Sequence, residues 1–242
     1  MKQLSSQKTQ ELMMLHKQGN IEAAAEMARK LIKEYPKELL LHNILGVCQE
    51  AQGDLEGAVS SYQNAISINP NMPELQFNLG AMLYAMNSNK DAISHYKKAI
   101  ELNPSFTEAF FNLGITYQSQ YDYDSAINSY EQAIKFQPGF YEAIGNIGTI
   151  KQLQGKLEEA ISFFKKSLTI FEDARGNYNI AGAYRNLGNL SLSIKHYRRA
   201  VEIGSGEAEF YSDLGDALWH EGNIKEANRF LRMAVEVDSS HP

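Results

Sequence analysis

The chain has 242 residues and a net charge of −6, from 23 basic and 29 acidic side chains. A 43% hydrophobic and 10% aromatic content is enough to bury a core and excludes a disordered chain, while the acidic balance excludes a general nucleic-acid binder. One cysteine, Cys48, excludes an intramolecular disulfide framework and a multi-cysteine zinc site. The opening residues, MKQLSSQKTQELMML, lack the apolar run of a signal peptide, and no stretch approaches the roughly 18 apolar residues of a membrane span. A soluble cytoplasmic chain without membrane insertion is therefore expected.

Punctuation comes next along the chain. Pro36, Pro70, Pro104 and Pro138 are spaced by 34 residues each. Proline fixes its φ and cannot donate a backbone hydrogen bond, so it commonly stands just past a helix end. Placing these prolines at position 32 of a unit divides the chain into seven: 5–38, 39–72, 73–106, 107–140, 141–173, 174–207 and 208–241. The fifth unit is one residue short and carries Glu172 where the proline would stand. An irregularity is expected there, near Glu172–Gly176.

Other marks recur inside each unit. Position 8 is small (Gly46, Gly80, Gly114, Gly148, Ala181, Gly215) and position 20 is Ala or Ser (Ala24, Ala58, Ala92, Ala126, Ala160, Ser193, Ala227). Glycine inside a helix costs about 1 kcal/mol relative to alanine, so its repetition implies that a neighbouring helix must come close, with position 20 as the matching small residue. Position 24 is large (Tyr62, Tyr96, Tyr130, Phe164, Tyr197, Leu231) and position 27 is mainly Ala. Position 15 is Gly19, Gly53, Gly155, Gly188 or Gly222, which suits a left-handed helix cap; Asn87 tolerates that geometry and Tyr121 does so less easily. Each unit thus reads as two antiparallel amphipathic helices, A (positions 1–14) and B (roughly 16–30). The fold class expected is all-α, an array of seven helix pairs.

The combination of Leu-Gly at 7–8, Tyr at 11 (Tyr117, Tyr184), Ala at 20, an aromatic at 24, Ala at 27 and Pro at 32 resembles the tetratricopeptide repeat. The resemblance covers 5–241 and is strongest in units 2–4 and 7. Lys8 and Glu11 make helix A of the first unit polar, as a terminal cap would be. The family implies a right-handed α-solenoid superhelix whose concave groove is lined chiefly by helices A.

The sequence offers no catalytic constellation. The histidines (His16, His42, His95, His196, His220, His241) make no HxxxH pair and have no cysteine partner at metal-ligand spacing. Gly204-Ser205-Gly206 falls at an inter-repeat turn and lacks the Lys-Ser/Thr of a phosphate loop. Cys48, at position 10 of a helix A, is expected to be a buried inert thiol. No enzyme activity, cofactor or metal is expected.

Positions 2, 5, 6, 9, 12 and 13 of helix A lie opposite its packing side. Position 6 is Asn78, Asn112, Asn146 and Asn179, followed by Asp213. A carboxamide both donates and accepts, so such a ladder can hold a peptide backbone whatever its side chains; local hydrogen bonding or solubility is the other reading of the same residues. The resemblance supports the first, because similar asparagines line the substrate groove in the repeat domain of O-linked N-acetylglucosamine transferase. Phe77 and Phe111 at position 5, Ile115 at position 9 and Tyr84 at position 12 make the groove of units 2–4 apolar, although an aromatic at position 5 can also tuck between helices. Residues 39–140 carry four basic and ten acidic side chains. The basic clamp that chaperone-binding members of the family place at positions 5 and 9, then 2 and 6, is missing: Asn43 with Val47, and Glu142 with Asn146, stand there. An acidic C-terminal peptide is disfavoured. Trp219 and His220 of the last unit are either a second contact or ordinary repeat usage.

Two functional classes follow. One is a stand-alone scaffold for protein or peptide partners, with self-association through the terminal repeats as a further mode. The other is the substrate-recruiting arm of a larger enzyme, such as a glycosyltransferase, whose catalytic part lies outside this chain. Polar Asn228 at position 21 of the seventh unit, where others carry Val or Ile, favours a true end.

Overall fold

The computed structural model describes residues 4–238. Among them are fourteen α-helices in chain order: α1 (Ser6–Lys17), α2 (Ile21–Glu34), α3 (Leu39–Ala51), α4 (Leu55–Ile68), α5 (Pro73–Ala85), α6 (Asn89–Leu102), α7 (Thr107–Ser119), α8 (Tyr123–Phe136), α9 (Tyr141–Leu153), α10 (Leu157–Ile170), α11 (Ala174–Asn186), α12 (Leu190–Ile203), α13 (Ala208–Glu221) and α14 (Ile224–Val237). Odd-numbered helices correspond to helix A and even-numbered ones to helix B. The end of the seventh unit, 239–241, lies outside the described residues. No described helix is long and apolar enough to cross a membrane.

The chain forms two compact units, one running to Ser129 and one beginning at Tyr130, a boundary inside α8. In the first, each helix from α1 to α6 packs on the next; in the second, each from α9 to α13 does so. The turn between helices A and B is set by two adjacent residues. The residue at position 15 has positive φ in all seven units: Gly19, Gly53, Gly155, Gly188 and Gly222, with Asn87 at +60° and Tyr121 at +62°. Position 16 then caps helix B: side chains of Asp54, Asp122 and Asn189 accept from the amides of Gly57, Ser125 and Leu192. The chain reverses within three residues or fewer, so helices A and B are antiparallel neighbours.

Helix pairs close on a repeated core. Ala24, Ala58, Ala92, Ala126, Ala160 and Ala227 at position 20 are fully buried, as are Tyr62, Tyr130 and Tyr197 at position 24. The glycine at position 8 is explained differently from the sequence expectation. A Cβ there would come within 2.7 Å of the Tyr62 ring at Gly46, 2.9 Å of Tyr96 at Gly80, and 2.7 Å of Phe164 at Gly148. It is therefore the ring at position 24, not the small residue at position 20, that needs the missing side chain. At Gly215 the same space is filled by Leu231, 2.7 Å away.

The residue absent from the fifth unit is absent from a link, not from a helix. Links from B to A elsewhere have four residues, as in 103–106, whereas α10 and α11 are joined by 171–173 alone. Asp173 caps α11 by accepting from the Gly176 amide at 2.6 Å. Glu172, in place of the proline, takes a two-pronged ion pair from Arg199, Nε to Oε1 at 2.7 Å and Nη2 to Oε2 at 2.8 Å. The arginine fork holds the shortened link from α12.

Candidate functional site

Helices α5 and α7 carry the expected residues of the first compact unit. Phe77, Asn78, Tyr84, Phe111, Asn112 and Ile115 are all half-buried. Phe77 packs its ring against Tyr96 (centroids 5.8 Å apart) and Phe106 (5.1 Å), so it is partly tucked between helices. Tyr84 lies against the same cluster of Ala92, Tyr96 and Leu113. What remains outward is a half-buried apolar strip with exposed Glu50, Glu74 and Glu108 beside it.

In the second unit, Asn146 and Asn179 are likewise half-buried. Asn146 has a specific partner within the protein: its Nδ2 donates to the Tyr130 hydroxyl at 3.2 Å. The first unit repeats the motif, with Asn112 hydrogen-bonded to the Tyr96 hydroxyl. Burial pushes the Tyr96 pKa up to about 12 against the opposing influence of that hydrogen bond. In the last repeat Asp213 takes the asparagine's place, and the Tyr197 hydroxyl lies 3.4 Å from its Oδ2. The buried position-24 tyrosine thus passes the glycine of its own helix A and meets position 6 of the next. Two members break the pattern. Tyr62 donates instead to Glu50 Oε2 at 3.1 Å, and Phe164 has no hydroxyl to offer Asn179. A tyrosine oxygen that accepts one N–H leaves Oδ1 and the second N–H of the carboxamide available for a ligand.

The face of α11 and α13 holds a network that sequence reasoning did not single out. Tyr178, at position 5, sets its hydroxyl 2.6 Å from Asp213 Oδ2 and 2.8 Å from Glu209 Oε1. Burial first, and then these two carboxylates, hold its pKa far above the ordinary phenol value. Arg175 pairs with Glu209 at 2.9 Å and covers the rings of Tyr178 (5.2 Å) and Phe210 (5.0 Å). Arg185 lies 3.5 Å from Asp213 and 3.6 Å from Asp216. The signal was present as opposite charges one period apart, Arg175 and Glu209 at position 2. Beyond them Trp219 is half-exposed and His220 reaches Asp216 at 3.5 Å.

Other candidates resolve as packing. His95 shares a hydrogen bond of 2.7 Å with Gln76, and His196 one of 3.0 Å with Asn177, each joining helix B to its own helix A. Burial lowers both imidazole pKa values, favouring the neutral ring. Cys48 is fully buried with its pKa raised by desolvation, so the thiol stays protonated and inert. Among the described residues no three His, Cys, Asp or Glu side chains gather as metal ligands would.

Family models described as tetratricopeptide repeat match residues 12–38, 107–140, 141–205 and 178–242, and one described as TPR repeat matches 51–87 and 82–121. The chain is a tetratricopeptide repeat protein. Solved repeat proteins share its fold. A protein from Parabacteroides merdae ATCC 43184 aligns over 96% of this chain and 92% of its own, at 17% identity and a TM-score of 0.76. The crystal structure of MamA aligns over 66% of this chain and 93% of its own, at 28% identity and a TM-score of 0.64. YrrB, described as a TPR protein with an unusual peptide-binding site, aligns over 76% of this chain and 95% of its own, at 20% identity and a TM-score of 0.59. No curated protein sequence matches the chain.

Proposed function

We propose that the chain is a non-catalytic scaffold of the cytoplasm that binds extended peptide or protein segments along the helices A of each compact unit. The contacts are the asparagines Asn78 and Asn112 in the first unit and Asn146 and Asn179 in the second, with Phe77, Tyr84, Phe111 and Ile115 adding apolar surface. The observation that carries this reading is the Asn146–Tyr130 pair. A carboxamide steadied through one N–H presents its remaining donor and acceptor with little freedom left to lose, which favours backbone recognition. The peptide-binding site described for YrrB is a precedent within the same fold; at 20% identity that likeness extends to the fold alone, so the reading rests on the residues.

Peptides selected by phage display on the intact chain, then measured by calorimetry, test it. Each asparagine contributes about 1 kcal/mol, so Asn78→Ala with Asn112→Ala, or Asn146→Ala with Asn179→Ala, should weaken binding by about 30-fold. Unchanged affinity in both double variants, with melting preserved, would reject the ladder.

A further inference from the structure

We propose that the face of α3, α5 and α7 takes a partner segment that is cationic as well as apolar, with lysine or arginine interspersed among aliphatic residues. This rests on the peptide-binding reading above and names the chemistry of the peptide. Helices α3 (LLLHNILGVCQEA), α5 (PELQFNLGAMLYA) and α7 (TEAFFNLGITYQS) contain not one lysine or arginine. Their charged side chains are Glu50, Glu74 and Glu108, all exposed. His42, the imidazole among them, is buried with its Nε2 2.9 Å from the Pro36 carbonyl oxygen. Of the cations of the adjoining α6, Lys98 pairs with Glu101 of its own helix at 2.8 Å, Lys97 lies over the ring of Tyr117 on α7 at 5.7 Å, and Lys90 stands in its first turn.

Helix electrostatics alone does not produce this pattern. The dipole favours carboxylates in a first turn, which accounts for Glu74 and Glu108. It equally favours cations in a last turn, and α3, α5 and α7 have none there. In the second unit α9, α11 and α13 follow the rule with Lys151, Arg185 and His220. The first unit instead leaves the C-terminal ends of α3, α5 and α7 without a cation, with Glu50 at the end of α3 and Glu74 and Glu108 at the opposite ends of α5 and α7. A face carrying one sign of charge over an apolar floor concentrates its field and draws the opposite charge. The half-buried Val47, Phe77 and Ile115 would take the aliphatic stems of lysine side chains, whose ammonium groups then reach the glutamates.

The test uses two dansylated peptides of equal length, ALKALKALK and ALEALEALE, titrated into the intact chain. At about 50 mM salt the lysine peptide should bind about tenfold more tightly, and the preference should shrink severalfold at about 300 mM. The exposed pair Glu74→Gln and Glu108→Gln should cut the preference to about threefold while melting is unchanged. Equal binding of both peptides overturns the charge inference and leaves the peptide-binding reading standing. Binding of neither overturns both. A lysine preference untouched by the double Gln variant overturns the assignment to this face.

Discussion

The hydroxyl at position 24 does two jobs that a phenylalanine cannot. It satisfies a buried polar group at the repeat interface, and it steadies the position-6 carboxamide on the helix A face. Phe164 is the natural deletion of that group, and its ring occupies the same place over Gly148 that Tyr62 and Tyr96 occupy over Gly46 and Gly80. Phe164→Tyr should therefore reach Asn179 and stabilise the protein by about 0.5–1 kcal/mol in urea titration. A loss of more than about 1 kcal/mol would mean that the hydroxyl is buried without a partner. The tyrosines also set a limit in alkali. Tyr62, Tyr96 and Tyr197 are at most 1% exposed, and their pKa values are raised above the usual 10 chiefly by burial. The folded state holds these protons more tightly than the unfolded chain. Their contribution is thus fully present below about pH 10 and is lost as pH rises from there toward the folded values. Unfolding titrations should show stability falling by about 1.4 kcal/mol per pH unit for each tyrosine above about pH 10, and a flat profile through pH 11 would contradict it.

At the scale of the helix pair, the turn and the close crossing can be tested separately. Tyr121 occupies the left-handed cap at φ +62° and is 79% exposed, so it endures the strain for little packing return. Tyr121→Gly should raise stability by about 1 kcal/mol by thermal or chemical melting. Gly80→Ala should do the reverse, because the new methyl meets the Tyr96 ring at 2.9 Å and the ring is packed on all sides. Overpacking of this kind costs about 1–3 kcal/mol, and an unchanged urea midpoint would show that the ring can yield. The same two residues show how far sequence reading reached. Glycines and prolines mark chain geometry directly, so the turns and helix pairs were legible from the 34-residue spacing. The partner of Gly80 was not, since periodicity says that a residue must be small without saying what presses on it.

The whole chain adds what no single column of the repeat contains. The Asn146–Tyr130 pair joins position 6 of one repeat to position 24 of the one before, and each column taken separately looks like ordinary repeat usage. The network of Arg175, Tyr178, Arg185, Glu209 and Asp213 was hidden for a related reason: its contacts join repeat six to repeat seven, and of its members only Arg175 and Glu209 share a repeat position. The asparagines and apolar residues of the helix A face were legible as candidates, but their engagement with tyrosines required three-dimensional neighbours. Division into two compact units at Ser129 and Tyr130 also left no mark in sequence, because the period runs through α8 without a break. Trp219, the one tryptophan, lies half-exposed near the end of α13 in the second unit. Indole emission is thus an observer with a single vantage point, reporting the second unit and blind to the first. Far-ultraviolet dichroism averages over every helix. Repeat arrays are held by nearest-neighbour contacts, so Gly80→Ala should shift the dichroism transition while leaving the emission transition nearly in place. Coincident shifts of both signals would instead reveal one cooperative optical transition for the entire chain.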